Sequence, residues 1–453
     1  MDVKLVGAAS RSRSSTSNRR ILVNASSLVL TIAVTSGLGF IYWWLAARLF
    51  SPAALGLASA IISATTLLGT MGMLGIGTLL VGIFPRYPGA AQGLIVMALL
   101  VTGTVGSAVG LLFAIVAPLF SADFRPLTRD YTSITLFAVG VGLTAMTLVL
   151  DQALIGLLRG YLQLGRNTVF SVTKLGALWV VGAVVFEKTG LTIYVTWVVG
   201  NVLSLAVLAA VALRRGGSVV AYRPRWMLLR SMGRAALLHH ALNLVLLAPS
   251  LLLPLLVTVI LSTSTNASFY VAWMIASFVF VIPASFANVL YAAGAAAPAA
   301  LAIKMRFTMR SALVVGLLAA AAVALVAHPV LHLFGKAYAG TALGSLRILV
   351  LAVVPITIKD HYVTVARLRG RITRATVLIG AGGVLELILA TVGGHALGLT
   401  GLSLGWVAAG YIEAIILAPA VIRVAMRRDD RVPVGQGDAV PADVGRSAIR
   451  SDS

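Results

Sequence analysis

Residues 24–84 read NASSLVLTIAVTSGLGFIYWWLAARLFSPAALGLASAIISATTLLGTMGMLGIGTLLVGIF, two apolar runs joined by the short turn Arg48-Leu49-Phe50-Ser51-Pro52. A hydrocarbon core of roughly 30 Å takes about 20 apolar residues in helical form, and each run reaches that length. In lipid the backbone amides must be paired within the segment, so runs of this composition are helices. The stretch therefore reads as a transmembrane hairpin, and the rest of the chain repeats its pattern.

Working outward, composition supports the same class. Of 453 residues, 59% are hydrophobic and 11% charged, against about 25% charged in a typical soluble domain. There is no cysteine, which excludes disulfides, thiolate catalysis and cysteine metal sites together. The formal net charge is +22. A nucleic-acid surface would gather such charge on one folded face with interleaved aromatics. Here most Lys and Arg fall in the two tails and in alternate connections between apolar runs, so no nucleic-acid partner is expected.

About twelve spans are expected, at 24–47, 54–80, 90–118, 133–157, 167–186, 190–213, 235–261, 267–293, 310–334, 344–366, 373–396 and 399–426. A cytoplasmic N-terminus puts Arg11, Arg13, Arg19 and Arg20, then Arg86, Arg159 and Arg166, on the inside. The residues from Arg214 to Arg234, then Lys304, Arg306, Arg310, Arg367, Arg369, Arg371, Arg374, Arg423, Arg427 and Arg428, join them. The opposite loops keep only Arg48, Arg125, Arg129, Lys188 and Lys336. This asymmetry predicts a multi-pass protein of the cytoplasmic membrane with both termini cytoplasmic.

The polar segments 1–18 and 429–453 read as disordered cytoplasmic tails. The first apolar run exceeds the roughly 7–15 residues of a signal-peptide core, so it is expected to remain as a helix. The longest inner connection, 214–234, is read as a cytoplasmic linker between an N-terminal lobe, 19–213, and a C-terminal lobe, 235–428. Six spans per lobe make the lobes parallel, related by an axis along the membrane normal. A faint internal echo agrees, with 24–30 aligning on 240–246 and 53–58 on 267–272. The fold class is thus an all-α polytopic membrane protein of about twelve transmembrane helices in two parallel-related six-helix lobes. Proline falls within second-half spans at Pro249, Pro254, Pro283, Pro329, Pro355 and Pro419, which predicts kinks there and a more deformable second half. The Gly106–Gly110 spacing predicts close helix packing.

A charge at membrane depth costs roughly 2.5–3.5 kcal/mol on insertion scales, so such residues usually face the protein interior. Those with a cavity role in view are Arg48, Asp151, Lys174, Arg347, Lys359 and Asp360, with Glu386 and Glu413 as candidates for ion coupling. Asp151 and Lys174 sit at similar depth on consecutive helices, either as a structural ion pair or facing a cavity. Lys359-Asp360-His361 follows Pro355 by one turn and reads as a cavity cluster. Glu386 and Glu413 either relay protons or bond a neighbouring helix. Arg347 either reaches the cavity or snorkels to the outer interface, and His239 and His240 read as interfacial. No catalytic constellation, metal spacing or nucleotide loop is present, so neither an enzyme nor a cofactor is expected. Polar groups buried between two helical bundles fit a secondary transporter.

Three stretches carry a family resemblance: 45–56 (LAARLFSPAALG), 157–167 (LLRGYLQLGRN) and the start of the eighth span at 269–272 (FYVA). With the twelve-span layout, the chain resembles the polysaccharide-biosynthesis flippases of the superfamily that also contains the MATE drug exporters. The resemblance implies two six-helix lobes that open alternately to each side. It implies a lipid-linked oligosaccharide on a polyprenyl diphosphate as cargo, H+ or Na+ as coupling ion, membrane lipids as surroundings, and glycan polymerases or glycosyltransferases as partners. It also implies a cationic cavity for the diphosphate, suited to Lys174, Lys359, Arg48 or Arg347. A MATE-like antiporter of cationic compounds is the competing expectation, favoured by Glu386 and Glu413. A non-transporting scaffold for glycan assembly would gain nothing from buried charge.

Overall fold

Ser51 opens the second helix as its side chain dictates. Its Oγ accepts a hydrogen bond from the Ala54 amide at 3.3 Å, and Pro52 takes the first helical position, where a missing N–H is no loss. The computed structural model describes residues 27, 30–84, 91–214 and 233–426. The expected tails, Arg86 and nearly all of the 214–234 linker lie outside them.

The described elements are helical throughout, with no strand among them. In chain order they are α1 (Leu30–Leu49), α2 (Pro52–Gly72), α3 (Ile76–Ile83), α4 (Ala91–Phe120), α5 (Tyr131–Gly156), α6 (Gly160–Val184) and α7 (Gly190–Arg214). The second half holds α8 (Gly233–Ile260), α9 (Thr263–Ala296), α10 (Leu301–Phe334), α11 (Lys336–Thr341), α12 (Leu343–Leu349), α13 (Val353–Leu368) and α14 (Ile372–Ala425). Eleven helices among the described residues are long and apolar enough to span a membrane. The last has 54 residues, about 80 Å at 1.5 Å per residue, more than twice a hydrocarbon core. It reverses at Leu397 and Gly398, the latter at φ +60°, a conformation that favours glycine. Its two legs, 372–396 and 399–425, then return side by side. A side chain at Gly393 would collide with the Gly401 carbonyl, and one at Gly405 with that of Leu389. Eleven helices thus give the twelve crossings expected.

One detail corrects the sequence reading. The second span is not continuous over 54–80; it breaks at Leu74 (φ +49°) and Gly75 (φ +74°) before α3 begins. The helices continue through Pro249, Pro254, Pro283, Pro329 and Pro419, and Pro118 lies inside the last turn of α4. Outright interruptions fall at 73–75, at 397–398, and at a 3-10 turn, Val350–Ala352, just ahead of Pro355. A proline forfeits one backbone bond that packed neighbours can compensate. A reversal needs a positive φ, which glycine supplies at least cost.

The two halves of the chain, α1–α7 and α8–α14, termed lobes below, share one apolar core in which Tyr42, Leu55 and Ile61 meet Leu253, Phe269 and Ala272. The helix ends bearing Arg159, Lys304, Arg306, Arg310, Arg367–Arg374 and Arg423 lie, by alternation of the crossings, on one side, here termed the basic face. At the opposite face the lobes are pinned together. Asn266 Nδ2 donates to the Gly56 carbonyl at 2.8 Å and to Ser59 Oγ at 3.1 Å. Trp44 Nε1 and Arg48 Nε both donate to the Leu333 carbonyl, at 3.0 and 2.9 Å. Gly56 permits this approach, because a Cβ there would occupy the Thr263 carbonyl.

Candidate functional site

Beneath that seal lies a cavity of about 360 Å³ lined by both lobes. Trp43 of α1 and Tyr270 of α9, both lining it, meet across the lobes in a tilted contact, ring centroids 4.5 Å apart. Ser63 and Thr66 of α2 and Ser250 of α8 give it hydroxyls. Among its lining residues Lys174 alone is charged. The Lys174 ammonium sits in an aromatic cage, 4.2 Å from the centre of the Trp197 ring, 4.7 Å from Phe170 and 4.9 Å from Tyr42. Phe170 precedes it by four residues on α6, so the two side chains lie one above the other. The Tyr42 hydroxyl is fixed by Thr196 Oγ1 at 2.9 Å and by the Ile193 carbonyl at 3.2 Å. Cation–π contact in a desolvated site contributes about 2 kcal/mol or more, a partial offset to burying the ammonium at 5% exposure without a carboxylate. No acidic group pairs with Lys174 among the described residues.

A second cavity, about 260 Å³, lies within the C-terminal lobe. Trp273 and Ser250 line both cavities and so stand between them. Lys359, Asp360 and Glu386 form its polar side, and Lys359 and Glu386 belong to a triad. Lys359 Nζ of α13 lies 2.5 Å from Glu386 Oε1 on the first leg of α14 and 2.5 Å from Glu413 Oε2 on the second. Trp406 Nε1 donates to Glu386 Oε2 at 2.8 Å, and the Trp273 ring meets Trp406 edge-on at 4.8 Å. Glu413 is 3% exposed, and its Oε1 accepts no hydrogen bond. Gly382 makes the room it needs, since a Cβ there would strike the Glu413 carboxyl. One ammonium against two carboxylates leaves a formal charge of −1 in an apolar lobe, and Asp360 lines the same cavity. A single proton would neutralise the triad, with Glu413 Oε1 the open position for it.

The remaining candidates are dispersed. Asp151 does not pair with Lys174. It accepts two hydrogen bonds from Arg166, at 2.9 and 2.6 Å, and one from Asn167 Nδ2 at 3.2 Å. Arg166, read from sequence as a loop residue, lies within α6 and is buried. Arg48 serves the seal at the opposite face. Arg347 is exposed and donates to the Ala324 carbonyl at 3.3 Å. Neither Arg48 nor Arg347 lines the two cavities. His361 is fully buried, its ring nitrogens 2.8 Å from the Thr357 carbonyl and 3.2 Å from Thr308 Oγ1. The sequence reading overlooked Tyr42, Phe170, Trp197, Trp273 and Trp406. Only the Phe170–Lys174 spacing signalled any of them.

No family model and no curated protein matches the chain. Solved structures do. A structure described as the inward-facing conformation of a multidrug resistance MATE family transporter of the MOP superfamily superposes with a TM-score of 0.70 at 17% identity. It covers 89% of this chain and 98% of its own. A MOP superfamily transporter from Pyrococcus furiosus, described as having a binding pocket of reverse polarity that suggests a different function, gives 0.61 at 16% identity, with 90% and 95% covered. A MATE structure in the bent conformation gives 0.59 at 16% identity, with 89% and 96% covered. The chain is a multi-pass membrane protein with the fold of the MATE-type transporters of the MOP superfamily.

Proposed function

We propose that this protein is an alternating-access flippase of the cytoplasmic membrane. Its basic face is cytoplasmic, and its cargo is a polyprenyl-diphosphate-linked oligosaccharide, a precursor of cell-surface polysaccharide, carried from the inner to the outer leaflet. The observation that supports this most is the sign of the inter-lobe cavity, whose single charged lining residue is Lys174. A diphosphate entering lipid needs a counter-charge. An ammonium 4 Å away at an effective dielectric of 20 supplies about 4 kcal/mol per unit charge. The seal at the opposite face closes the cavity toward the outside, the state that loads from the inner leaflet. The Lys359–Glu386–Glu413 triad would take up the coupling proton. H+ is favoured over Na+ because the Lys359 ammonium already occupies the space between the carboxylates.

A multidrug antiporter is the second reading, favoured by the description of one structural neighbour as a multidrug resistance transporter. A cationic drug would meet Lys174 in the cavity and find Glu386 and Glu413 engaged by Lys359. The experiment is reconstitution into proteoliposomes with a fluorescent polyprenyl-diphosphate glycan and with ethidium, a cationic compound. Movement of the glycan, lost in Lys174→Gln and kept in part in Lys174→Arg, is the expected result. Ethidium transport that survives Lys174→Gln, with an immobile glycan, would replace this reading with the second.

A further inference from the structure

A third cavity, about 530 Å³, belongs to neither part of the transport site and shares no lining residue with them. It opens at the basic face of the C-terminal lobe, between α13 and the two legs of α14. Arg369, Arg371, Arg374 and Arg423 converge on it from three helix ends, and its lining holds no acidic residue. Basic residues at this face are expected as topology signals alone, but such residues need not share a cleft. This cleft also has a gradient along its length. The arginines lie within a turn or so of the helix ends. Leu378, Ile416, Leu417 and Ala420 continue the wall inward, Ile416 lying about 13 Å up the helix from Ala425 at 1.5 Å per residue. Ile416 is 61% exposed, so the apolar end opens sideways to the membrane.

We propose that this cleft binds an anionic phospholipid of the surrounding leaflet, its phosphate among the arginines and the start of an acyl chain along Leu378 and Ile416. Guanidinium groups are suited to phosphate because their planar N–H pairs meet two oxygens at once. The polar-to-apolar order of the walls matches the order of groups in a lipid. A soluble anion would use only the rim. The site is independent of the cargo, since bulk lipid reaches it without entering the inter-lobe cavity.

The test is native mass spectrometry of the purified full chain titrated with phosphatidylglycerol, with phosphatidylcholine and inorganic phosphate as the comparison probes. R371Q/R374Q/R423Q should weaken phosphatidylglycerol binding by at least about tenfold, given the contribution expected of each basic residue near an anionic head group. Phosphatidylcholine binding should stay unchanged. The three arginines are exposed, and the more buried Arg369 is left in place. If the triple variant does not fold, R374Q and R423Q singly should each weaken binding by about fivefold. Undiminished phosphatidylglycerol binding in these variants, equal retention of phosphatidylcholine, or displacement by inorganic phosphate at matched concentration would each overturn the proposal. None of these outcomes bears on glycan movement, so the transport reading stands or falls separately.

Discussion

Lys359→Met tests the charge triad most directly. Lys359 Nζ is 2.5 Å from an oxygen of Glu386 and 2.5 Å from an oxygen of Glu413, so those two oxygens are at most about 5 Å apart. With the ammonium gone, two carboxylates at that separation repel by about 3 kcal/mol at an effective dielectric of 20. Mutational experience with buried ion pairs gives the same scale, roughly 3–5 kcal/mol for removing one partner. The variant should therefore melt lower by on the order of 10 °C for a lobe-sized unit.

That destabilisation would follow from any structural ion pair, so a second variant is needed. K359M/E386Q/E413Q has similar shape and no charge in the triad. It should recover most of the lost melting temperature while remaining inactive in a proton-driven flipping assay, because no group is left to carry the proton. Melting is read by intrinsic fluorescence in detergent, and transport in proteoliposomes with an imposed pH gradient. A single variant that melts like the wild type would refute the charge balance argued here. A triple variant that regains transport would show that the triad holds the lobe together and does no more.

Further outcomes follow from other residues. Gly382→Ala should displace the Glu413 carboxyl, because the added Cβ collides with it, and so impair proton-driven transport while leaving ligand binding at Lys174 intact by equilibrium titration. Gly56→Ala should part the lobes at the opposite face by intruding on the Thr263 carbonyl. The absence of native cysteine lets a single Ser63→Cys reporter show this as faster labelling from outside. Asp130 caps α5, its carboxylate accepting from the Ser133 amide at 2.7 Å, and this bond holds its pKa below the usual 3.8. A depressed folded-state pKa stabilises above the unfolded value and is lost as pH falls through the folded one. Wild type and Asp130→Asn should therefore differ in melting above about pH 4 and converge below it.

The topology was legible because lipid leaves the backbone so few options. Length, apolarity and the placement of arginine locate each crossing, and the reversal at Gly398 was readable as the boundary between two spans. The break at Gly75 was not, since TMGMLGIG is as compatible with a continuous glycine-rich helix as with an interrupted one. Neither the level of a side chain between neighbouring helices nor its rotation about the axis could be counted closely. Asp151 and Lys174 were read at similar depth, but Asp151 meets Arg166, which lies eight residues, about 12 Å at 1.5 Å per residue, before Lys174 on α6, and three aromatic rings face Lys174. The triad was seen only as separate charges because its members come from three crossings with no sequence relation.

The mixed charges at membrane depth, Lys174, Arg347 and Lys359 against Asp151, Asp360, Glu386 and Glu413, gave the sequence no clear sign for a cavity. Position resolves it. Arg347 is spent on a carbonyl at the protein surface, Asp151 is matched by Arg166, and Glu386 and Glu413 converge on Lys359. What faces the space between the lobes is Lys174. Under the proposed function, a transporter that attracts an anionic head group yet responds to protons has to keep its acidic and basic groups apart, or the two would neutralise each other. Here they are separated by the Trp273–Trp406 contact, with Trp406 bonded to the triad and Trp273 lining both cavities. On the proposed function, a proton arriving at Glu413 would relax the triad and, through Glu386, shift the Trp406 ring against Trp273. Because Trp273 lines both cavities, such a shift would reach the cavity between the lobes.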